Sequence, residues 1–439
     1  MSTMTESSVR APFGVRPLIP LLLAPLVALG LAAAYTSMRS TFFELWMATG
    51  LDDVEVAFSA VSSGTTWGMW GALLLALVVG SLAGGWATTL TGTFLLAIGT
   101  FLVGPLVEVT VDYGETHPVV WAIFLASLGR TTAGIGLFVI VLDAARGRRA
   151  WLALASIAMT YAAYNLGATA GYLVQSGIVS SGGFNSAGLV RMVLLAGTTV
   201  AVVDFLLVLG GAIAWWMLGK SRPEPDPRRR TVYAAPLLLG LLLAVVVGIA
   251  MGAWWVAAEH VVYGPFYRMT QTTELGQINP VLVSLVCVGL AVAGVVFHLL
   301  GSPTAALPLL PVALGGVLLV AGIGVAALGG ETGLLGGIAI TSVAEALVIP
   351  AAYLAFGRGL HWRLLVPVFV VHRLLERGLV DGVIALELPE GEDTVLAVAL
   401  SVTVTISLCT LVAVVLGIIG RKVWALPEEL APTPDPGAA

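Results

Sequence analysis

Long runs of hydrophobic residues fill most of the chain, and polar residues are concentrated in the short stretches between them. A helix that crosses a membrane needs about 20 mostly apolar residues. Twelve runs meet this length: 17–38, 56–81, 86–108, 118–142, 151–176, 188–218, 234–258, 278–300, 304–328, 333–356, 363–386 and 394–419. Each run is continuous rather than alternating, which favours helices over the strands of a membrane barrel. The pattern therefore predicts an all-α membrane protein with twelve transmembrane helices.

The composition excludes the soluble classes of protein. Only 10% of the 439 residues are charged and 58% are hydrophobic, whereas soluble domains carry about 25% charged residues. A disordered chain would instead be poor in apolar residues. Cys287 and Cys409 both lie inside apolar runs, so we expect neither a disulfide framework nor a thiolate metal site. The mild net charge of −5 gives no reason to expect a nucleic-acid partner.

The basic residues of the loops predict the orientation of the chain in the membrane. Short cytoplasmic loops are enriched in Lys and Arg. With the N-terminus placed in the cytoplasm, 14 of the 20 basic residues fall on the cytoplasmic side. The loops on the other side are acidic, as at Asp52, Asp53 and Glu55. We therefore expect a multi-pass protein of the plasma (inner) membrane with both termini in the cytoplasm.

The longest basic loop divides the predicted spans into six and six. It extends from Lys220 to Arg230, and its three prolines favour an extended linker. We predict an N-terminal six-helix bundle over 1–219, a cytoplasmic linker over 220–233, a C-terminal six-helix bundle over 234–426 and a disordered tail over 427–439. This arrangement resembles that of major facilitator transporters.

Charged residues inside the predicted spans are the first candidates for a functional site. A charge near the bilayer centre costs at least about 2.5–3.5 kcal/mol on insertion, so such residues usually face a cavity or a partner. Six lie deep: Arg130, Asp204, Glu345, Arg373, Glu376 and Arg377. Glu345 lies roughly 16 Å from each end of its span. One interpretation is a structural ion pair with Arg130; the other is a site for substrate or protons.

The eleventh span and its surroundings leave further alternatives open. Arg373, Glu376, Arg377 and Asp381 have i,i+3 and i,i+4 spacings and share a helix face, which favours a structural charge ladder. Asp204 is alone in its span and either pairs with the eleventh span or carries a proton. Sequence motifs of enzymes are absent, and the five histidines are scattered. We therefore predict no enzyme activity, no cofactor and no metal.

Four motifs resemble those of the proton-dependent oligopeptide transporter family. Tyr161–Ala168, which includes Tyr164 and Asn165, resembles the family's motif in the fifth helix. Trp255, Glu259 and His260, followed by Gln277–Pro280, are similar to its motifs in the seventh and eighth helices. Ala344–Pro350 resembles the tenth-helix motif and Tyr35–Arg39 the end of the first helix. The four motifs occur in the family's order and cover most of the chain.

The resemblance implies roles for several residues. Glu345 would bind a substrate amino group, and Arg39 would pair with Glu259 in an outer gate that His260 modulates. We assign substrate binding to Glu345, Arg130, Asn165, Tyr164 and Trp255. The family's members are proton-coupled importers of small peptides, with relatives that transport other solutes. The partners implied are a small-molecule substrate, protons as a second candidate, and the lipid bilayer, with the protein acting as a monomer.

The chain also departs from the family. Where the family has two glutamates and an arginine in the first helix, this chain has Ala28, Leu31 and Ala32. The family's fourth-helix lysine corresponds to Gly134, with Arg130 one turn earlier. We therefore expect a secondary transporter of peptides or amino-acid-like solutes without the usual proton-coupling motif. The alternatives are an exporter of a metabolite or drug and a membrane scaffold that does not transport.

Overall fold

The computed structural model describes residues 15–48, 54–113, 116–144, 150–180, 187–218, 234–266, 278–300, 309–357, 360, 362–384, 386 and 391–429. Nearly all of them are helical. The helices are α1 (Val15–Ala48), α2 (Val54–Tyr113), α3 (His117–Ala144), α4 (Ala150–Ser180), α5 (Ala187–Met217), α6 (Ala234–Ala257), α7 (Ile278–Leu299), α8 (Leu309–Ala327), α9 (Gly330–Gly357), α10 (Trp362–Ile384) and α11 (Glu392–Glu429). One π-helical turn, Ala258–Tyr263, continues α6.

The long helix α2 contains two of the predicted spans. Its chain reverses at Gly84, whose φ of 85° and ψ of −177° lie where a side chain is strained. Contacts with α3 show the reversal. Gly64 lies near Ile123 and Gly71 near Leu128, so this arm runs parallel to α3, whereas the arm after Gly85 runs antiparallel to it. With α2 counted twice, the described helices give twelve crossings, and the prediction of twelve spans in two six-helix halves is confirmed.

Hydropathy alone identifies most of these crossings. Nine segments within the described ranges are long and apolar enough to cross a membrane, and one of them, Glu55–Val107, includes both arms of α2. The crossings formed by α4 and α10 are not among the nine. Both contain polar residues that face the interior of the protein, as described below. The central linker 220–233 and the tail from residue 430 lie outside the described residues, and α11 continues to Glu429.

Both ends of the described chain lie at the same end of the bundle. Ser156, near the start of α4, donates a hydrogen bond to the carbonyl of Leu21 in α1. Gly294, near the end of α7, packs against the carbonyl of Trp151. Gly420, in α11, packs against Leu239, and Gly240 packs against the carbonyl of Phe356 at the end of α9. We call this end, which also contains Gly84, the terminal end.

Two pairs of helices join the halves as side walls. On one side α4 packs against α7 through small residues, in a separate buried cluster that includes Ala155, Ala158, Ala162, Cys287 and Ala291. Its cross-wall hydrogen bond runs from the Ser284 hydroxyl to the carbonyl of Ala162, over 3.0 Å. On the other side α2 packs against α10. Small residues allow close approach of helices in membranes.

Candidate functional site

A cavity of about 620 Å³ lies between the two halves, near the middle of the bundle. It is lined by α1, α2, α3 and α4 from one half and by α6, the π-helical turn, α9 and α10 from the other. The residues predicted for the site that line it are Arg39, Arg130, Tyr164, Asn165, Trp255, Glu259, His260, Glu345, Arg373, Glu376 and Arg377. The structure therefore brings these separate motifs to one place. Asp204 and Asp381 do not line the cavity.

Glu345 is held by neutral hydrogen-bond donors. Its side chain is 2% exposed, near the middle of α9. The Tyr161 hydroxyl donates to one carboxylate oxygen. The Asn279 amide donates to the other over 3.5 Å. No ion pair joins Glu345 to Arg130 or to another cation in the described part of the chain, so the structural pairing considered from the sequence is not formed.

Arg130 lies between two aromatic rings. Its guanidinium carbon is 4.5 Å from the centre of the Tyr35 ring and 5.0 Å from that of Tyr164. A cation over an aromatic face is stabilised by the quadrupole of the ring. Nε of Arg130 has no hydrogen-bond partner, and among the described residues no carboxylate pairs with the group. The neighbouring charges of Arg39 and Arg373 are of the same sign.

Two tyrosines of α4 connect these opposite charges. Tyr161 donates to Glu345, and Tyr164, three residues later, packs on Arg130. Residues three apart lie on the same face of a helix, with about 5–6 Å between their Cβ atoms. Asn165 donates a hydrogen bond of 2.9 Å to the carbonyl of Tyr161. One face of α4 therefore contacts both the carboxylate of Glu345 and the guanidinium of Arg130, neither of which forms an ion pair with a described residue.

Ion pairs connect the charged residues of α10, and their hydrogen bonds reach neighbouring helices. Arg373 Nη1 lies 2.6 Å from Glu376 Oε2. The indole Nε1 of Trp255 donates to Glu376 Oε1 over 2.9 Å. His372, 2% exposed, lies 3.5 Å from the same Oε2 atom. The charge of Glu376 is therefore compensated within its own half.

The second part of the ladder reaches the other half. Arg377 Nη2 lies 2.6 Å from Asp381 Oδ1. The indole of Trp70, in α2, donates to Asp381 Oδ2 over 2.9 Å. A longer contact of 3.5 Å joins Arg377 to the hydroxyl of Thr66, also in α2. These polar contacts belong to the α2–α10 side wall.

Asp204 lies behind α1, away from the cavity. Its side chain is 3% exposed and lies directly against Gly30, where a Cβ atom would be 2.6 Å from its Cγ. Oδ2 has no hydrogen-bond partner. The pairing with α10 considered from the sequence is not formed among the described residues. A buried carboxyl group without a partner is costly when ionised.

The two candidate gate residues are apart in this structure. Arg39, near the end of α1, and Glu259, in the π-helical turn, are both exposed at the end of the cavity opposite the terminal end. His260 beside them is half-buried. Within the described ranges no ion pair joins Arg39 to Glu259, so the pair implied by the family resemblance is not formed in this conformation.

An aromatic cluster closes the cavity on the side of the terminal end. Phe138 of α3 meets Tyr353 of α9 with ring centres 4.8 Å apart, and Tyr353 meets Phe369 of α10 at 4.9 Å. Phe356 lies behind them and is fully buried. Farther toward the terminal end, Leu142 packs against Gly357. The cavity is thus closed at one end, whereas its charged residues at the other end are exposed.

Sequence reasoning missed three partners of the site residues. Tyr161 and Asn279 lie inside motifs that were recognised, but no role was assigned to them. Trp70 lies in a run that was considered only as apolar. The signals available were the three-residue spacing of Tyr161 and Tyr164 and the asparagine placed before Pro280. No group of three His, Cys, Asp or Glu suited to a metal ion occurs in the described residues.

The fold is that of the major facilitator transporters. The similar solved structures include the fucose:proton symporter FucP of E. coli, in its outward conformation, with a TM-score of 0.61 and 15% identity over 92% of this chain and 99% of FucP. The proton:xylose symporter XylE has a TM-score of 0.63 and 13% identity over 94% of this chain and 97% of XylE. A bacterial homologue of the iron transporter ferroportin, in an outward-facing state, has a TM-score of 0.62 and 13% identity over 90% of this chain and 99% of the homologue.

The sequence itself gives no closer assignment. No family model matches the chain, and no curated protein matches it either. At 13–15% identity the similarity to the solved structures shows the fold of this chain and does not identify its substrate.

Proposed function

We propose that this protein is a secondary transporter of small solutes that carry both a cationic and an anionic group, such as peptides or amino-acid-like compounds. The observation that supports it is the presence of two uncompensated charges in one cavity between the halves. Among the residues that the structure describes, Glu345 is bound by neutral donors, and Arg130 lies between two aromatic rings with like charges nearby. A zwitterionic solute would supply both missing countercharges.

Alternating access is the mechanism we propose. Transporters of this fold rock one half against the other around a central site. Here the cavity is exposed at the Arg39 and Glu259 end, while Phe138 and Tyr353 close the other end. With the basic loops in the cytoplasm, as the charge distribution favours, this is a conformation open to the outside. Two of the similar solved structures are described as outward too.

The role of protons stays part of the proposal. The first helix has no acid at the positions where the resembling family has two, and Asp204 is not exposed to the cavity. Glu345 is therefore a candidate for proton binding, because it is a buried acid that lines the cavity and has no ion-pair partner among the described residues. We propose that the protein acts as a monomer in the plasma membrane, through the cavity within one chain.

A set of matched dipeptides tests the charge requirement directly. Alanyl-alanine has both charges, its N-acetyl derivative lacks the cation and its amide lacks the anion. We expect only alanyl-alanine to raise the unfolding temperature of the purified protein, since a ligand that binds the folded state stabilises it. Stabilisation by an amphipathic cation instead would favour a drug exporter. Inertness to every solute, with protein partners that co-purify, would favour a scaffold.

Transport by variants tests the two residues. Loss of a hydrogen-bonded charge pair costs about 2–5 kcal/mol, so Glu345→Gln and Arg130→Gln should each lower uptake into liposomes at least about tenfold at subsaturating solute. Glu331→Gln is the matched control, because Glu331 is an exposed acid at the start of α9. Unchanged uptake in Glu345→Gln would contradict the proposal.

A further inference from the structure

The π-helical turn Ala258–Tyr263 places residues of different kinds within a single turn. Glu259 and His260 line the cavity, whereas Ala258, Val261 and Val262 are buried. Tyr263, the last residue of the turn, packs edge-on against Trp254 with ring centres 6.4 Å apart. Single turns of π-helix are rare in proteins, and those that occur are often found at functional sites. The turn therefore connects a charged surface of the cavity to a tyrosine directed toward the next helix.

Asn279 lies between this turn and Glu345. It is the second residue of α7 and is 8% exposed. Its amide nitrogen donates a hydrogen bond to the hydroxyl oxygen of Tyr263 and lies 3.5 Å from Glu345 Oε2. An amide group has two N–H hydrogens, so one can serve each acceptor. Pro280 follows at once, and its fixed φ restricts the backbone beside Asn279.

The two oxygens of Glu345 are therefore bound by residues of two different helices. Tyr161 of α4 donates to Oε1 and Asn279 of α7 to Oε2. The contact of Asn279 with Oε2 is long at 3.5 Å, so a cationic group that approaches Oε2 from the same side displaces the amide. The amide then loses its contact with the carboxylate and is free to turn with the Tyr263 hydroxyl. A change at Glu345 thereby reaches the turn that contains Glu259 without direct contact between the two acids.

We propose that Asn279 and Tyr263 are positioning residues that link the occupancy of Glu345 to the position of the gate turn Ala258–Tyr263. With Glu345 unoccupied, the chain of hydrogen bonds holds the turn in the arrangement seen here, with Glu259 apart from Arg39. When a cation displaces Asn279, the turn is released and can close toward α1. The release of the turn by substrate rests on the role of Glu345 in the proposed function. The hydrogen-bonded link between Glu345 and the turn does not require a substrate.

Hydrogen–deuterium exchange of the substrate-free protein, followed by mass spectrometry over residues 254–266, tests the link. Tyr263→Phe removes one hydroxyl and keeps the ring, and Glu345→Leu removes the distant carboxylate at similar size. We expect each to speed exchange in this segment at least threefold. The double variant should be no faster than the faster single variant, because both changes break the same chain of hydrogen bonds.

Tyr35→Phe is the matched control. It also removes one hydrogen-bonded tyrosine hydroxyl beside the cavity, since the Tyr35 hydroxyl lies 3.0 Å from that of Thr65. It should leave exchange over 254–266 unchanged. If Glu345→Leu leaves exchange unchanged, or if Tyr35→Phe accelerates it equally, the link is overturned. Because no solute is present, this result is independent of the transport assays: a protein that transports nothing can pass this test, and a transporter can fail it.

Discussion

Trp70 of α2 donates a hydrogen bond of 2.9 Å to Asp381 of α10, and this bond joins the two halves of the protein. Asp381 also forms an ion pair with Arg377, which lies on its own helix. The indole therefore binds a carboxylate whose charge is already balanced. Such a bond can break when the halves move without leaving an isolated charge in the membrane.

A double-mutant cycle measures this bond between the halves. Trp70→Phe and Asp381→Ala should each destabilise the protein. The double variant should show a coupling of about 0.6 kcal/mol, the average for hydrogen bonds between membrane helices, and at most about 1.7 kcal/mol. Reversible unfolding in detergent gives the four free energies. The control pair is Trp70→Phe with Glu331→Ala, which are remote from each other and should add within about 0.3–0.5 kcal/mol. Additivity of Trp70 and Asp381 would show that the bond contributes nothing.

The pair of Arg373 and Glu376 gives a second prediction. Removing one member of a buried ion pair leaves an uncompensated charge and costs about 3–5 kcal/mol. The side chain of Arg373 is 33% exposed, so we expect Arg373→Met to fall at the lower end of that range. The double variant Arg373→Met/Glu376→Leu should be more stable than the single one. A double variant that is less stable would mean that the bond from Trp255 to Glu376 matters more than the charges.

Reversal of the gate charges tests whether Arg39 and Glu259 meet at another stage of the cycle. Arg39→Glu and Glu259→Arg should each reduce uptake, because each would place two like charges together when the turn approaches α1. The double reversal should recover part of the activity. Arg39→Glu combined with Glu331→Arg serves as the control and should recover none. Equal loss in both double variants would argue against the pair.

The contact between Gly30 and Asp204 predicts that Gly30→Ala destabilises the protein and that Asp204→Ala relieves this effect. A Cβ atom at residue 30 would lie 2.6 Å from Asp204 Cγ, so Gly30→Ala should lower the unfolding temperature. Asp204→Ala should raise it or leave it unchanged, since the carboxyl group is buried without a partner for Oδ2. In the double variant the added methyl group fills space that the carboxyl group has left. Failure of Asp204→Ala to relieve the effect of Gly30→Ala would contradict this view of the contact.

The fold was predictable because the membrane imposes a strong pattern on the sequence. Each crossing needs a long apolar run, and the reversal at Gly84 was marked by two adjacent glycines between such runs. The charged residues of the cavity were predictable for the related reason that their burial is costly. Arg130 and Glu345 stood out among apolar neighbours before any contact was known.

The partners of those residues were not predictable, because they depend on how separate helices meet. The spacing of α10 alone indicated that Arg377 and Asp381 share a face, yet the bond to Trp70 arises from a helix more than three hundred residues away in sequence. Likewise the expected partner of Glu345 was the opposite charge of Arg130. The assembled bundle offers it Tyr161 and Asn279 instead, since α4 and the start of α7 both pack against α9.

The two side walls of the cavity differ in what a change of their contacts would cost. In the described residues, the α4–α7 wall consists mainly of small apolar side chains around Cys287, with one hydroxyl-to-carbonyl hydrogen bond and a contact between the rings of Trp151 and Phe297. The α2–α10 wall contains an indole, a guanidinium and a carboxylate in fixed directions. Apolar contacts between small side chains can shift gradually, whereas the hydrogen bond and the ion pair of the α2–α10 wall are lost once their geometry changes. We therefore expect the two halves to rotate relative to each other about the α4–α7 contact, whereas the hydrogen bond between Trp70 and Asp381 must break during that motion.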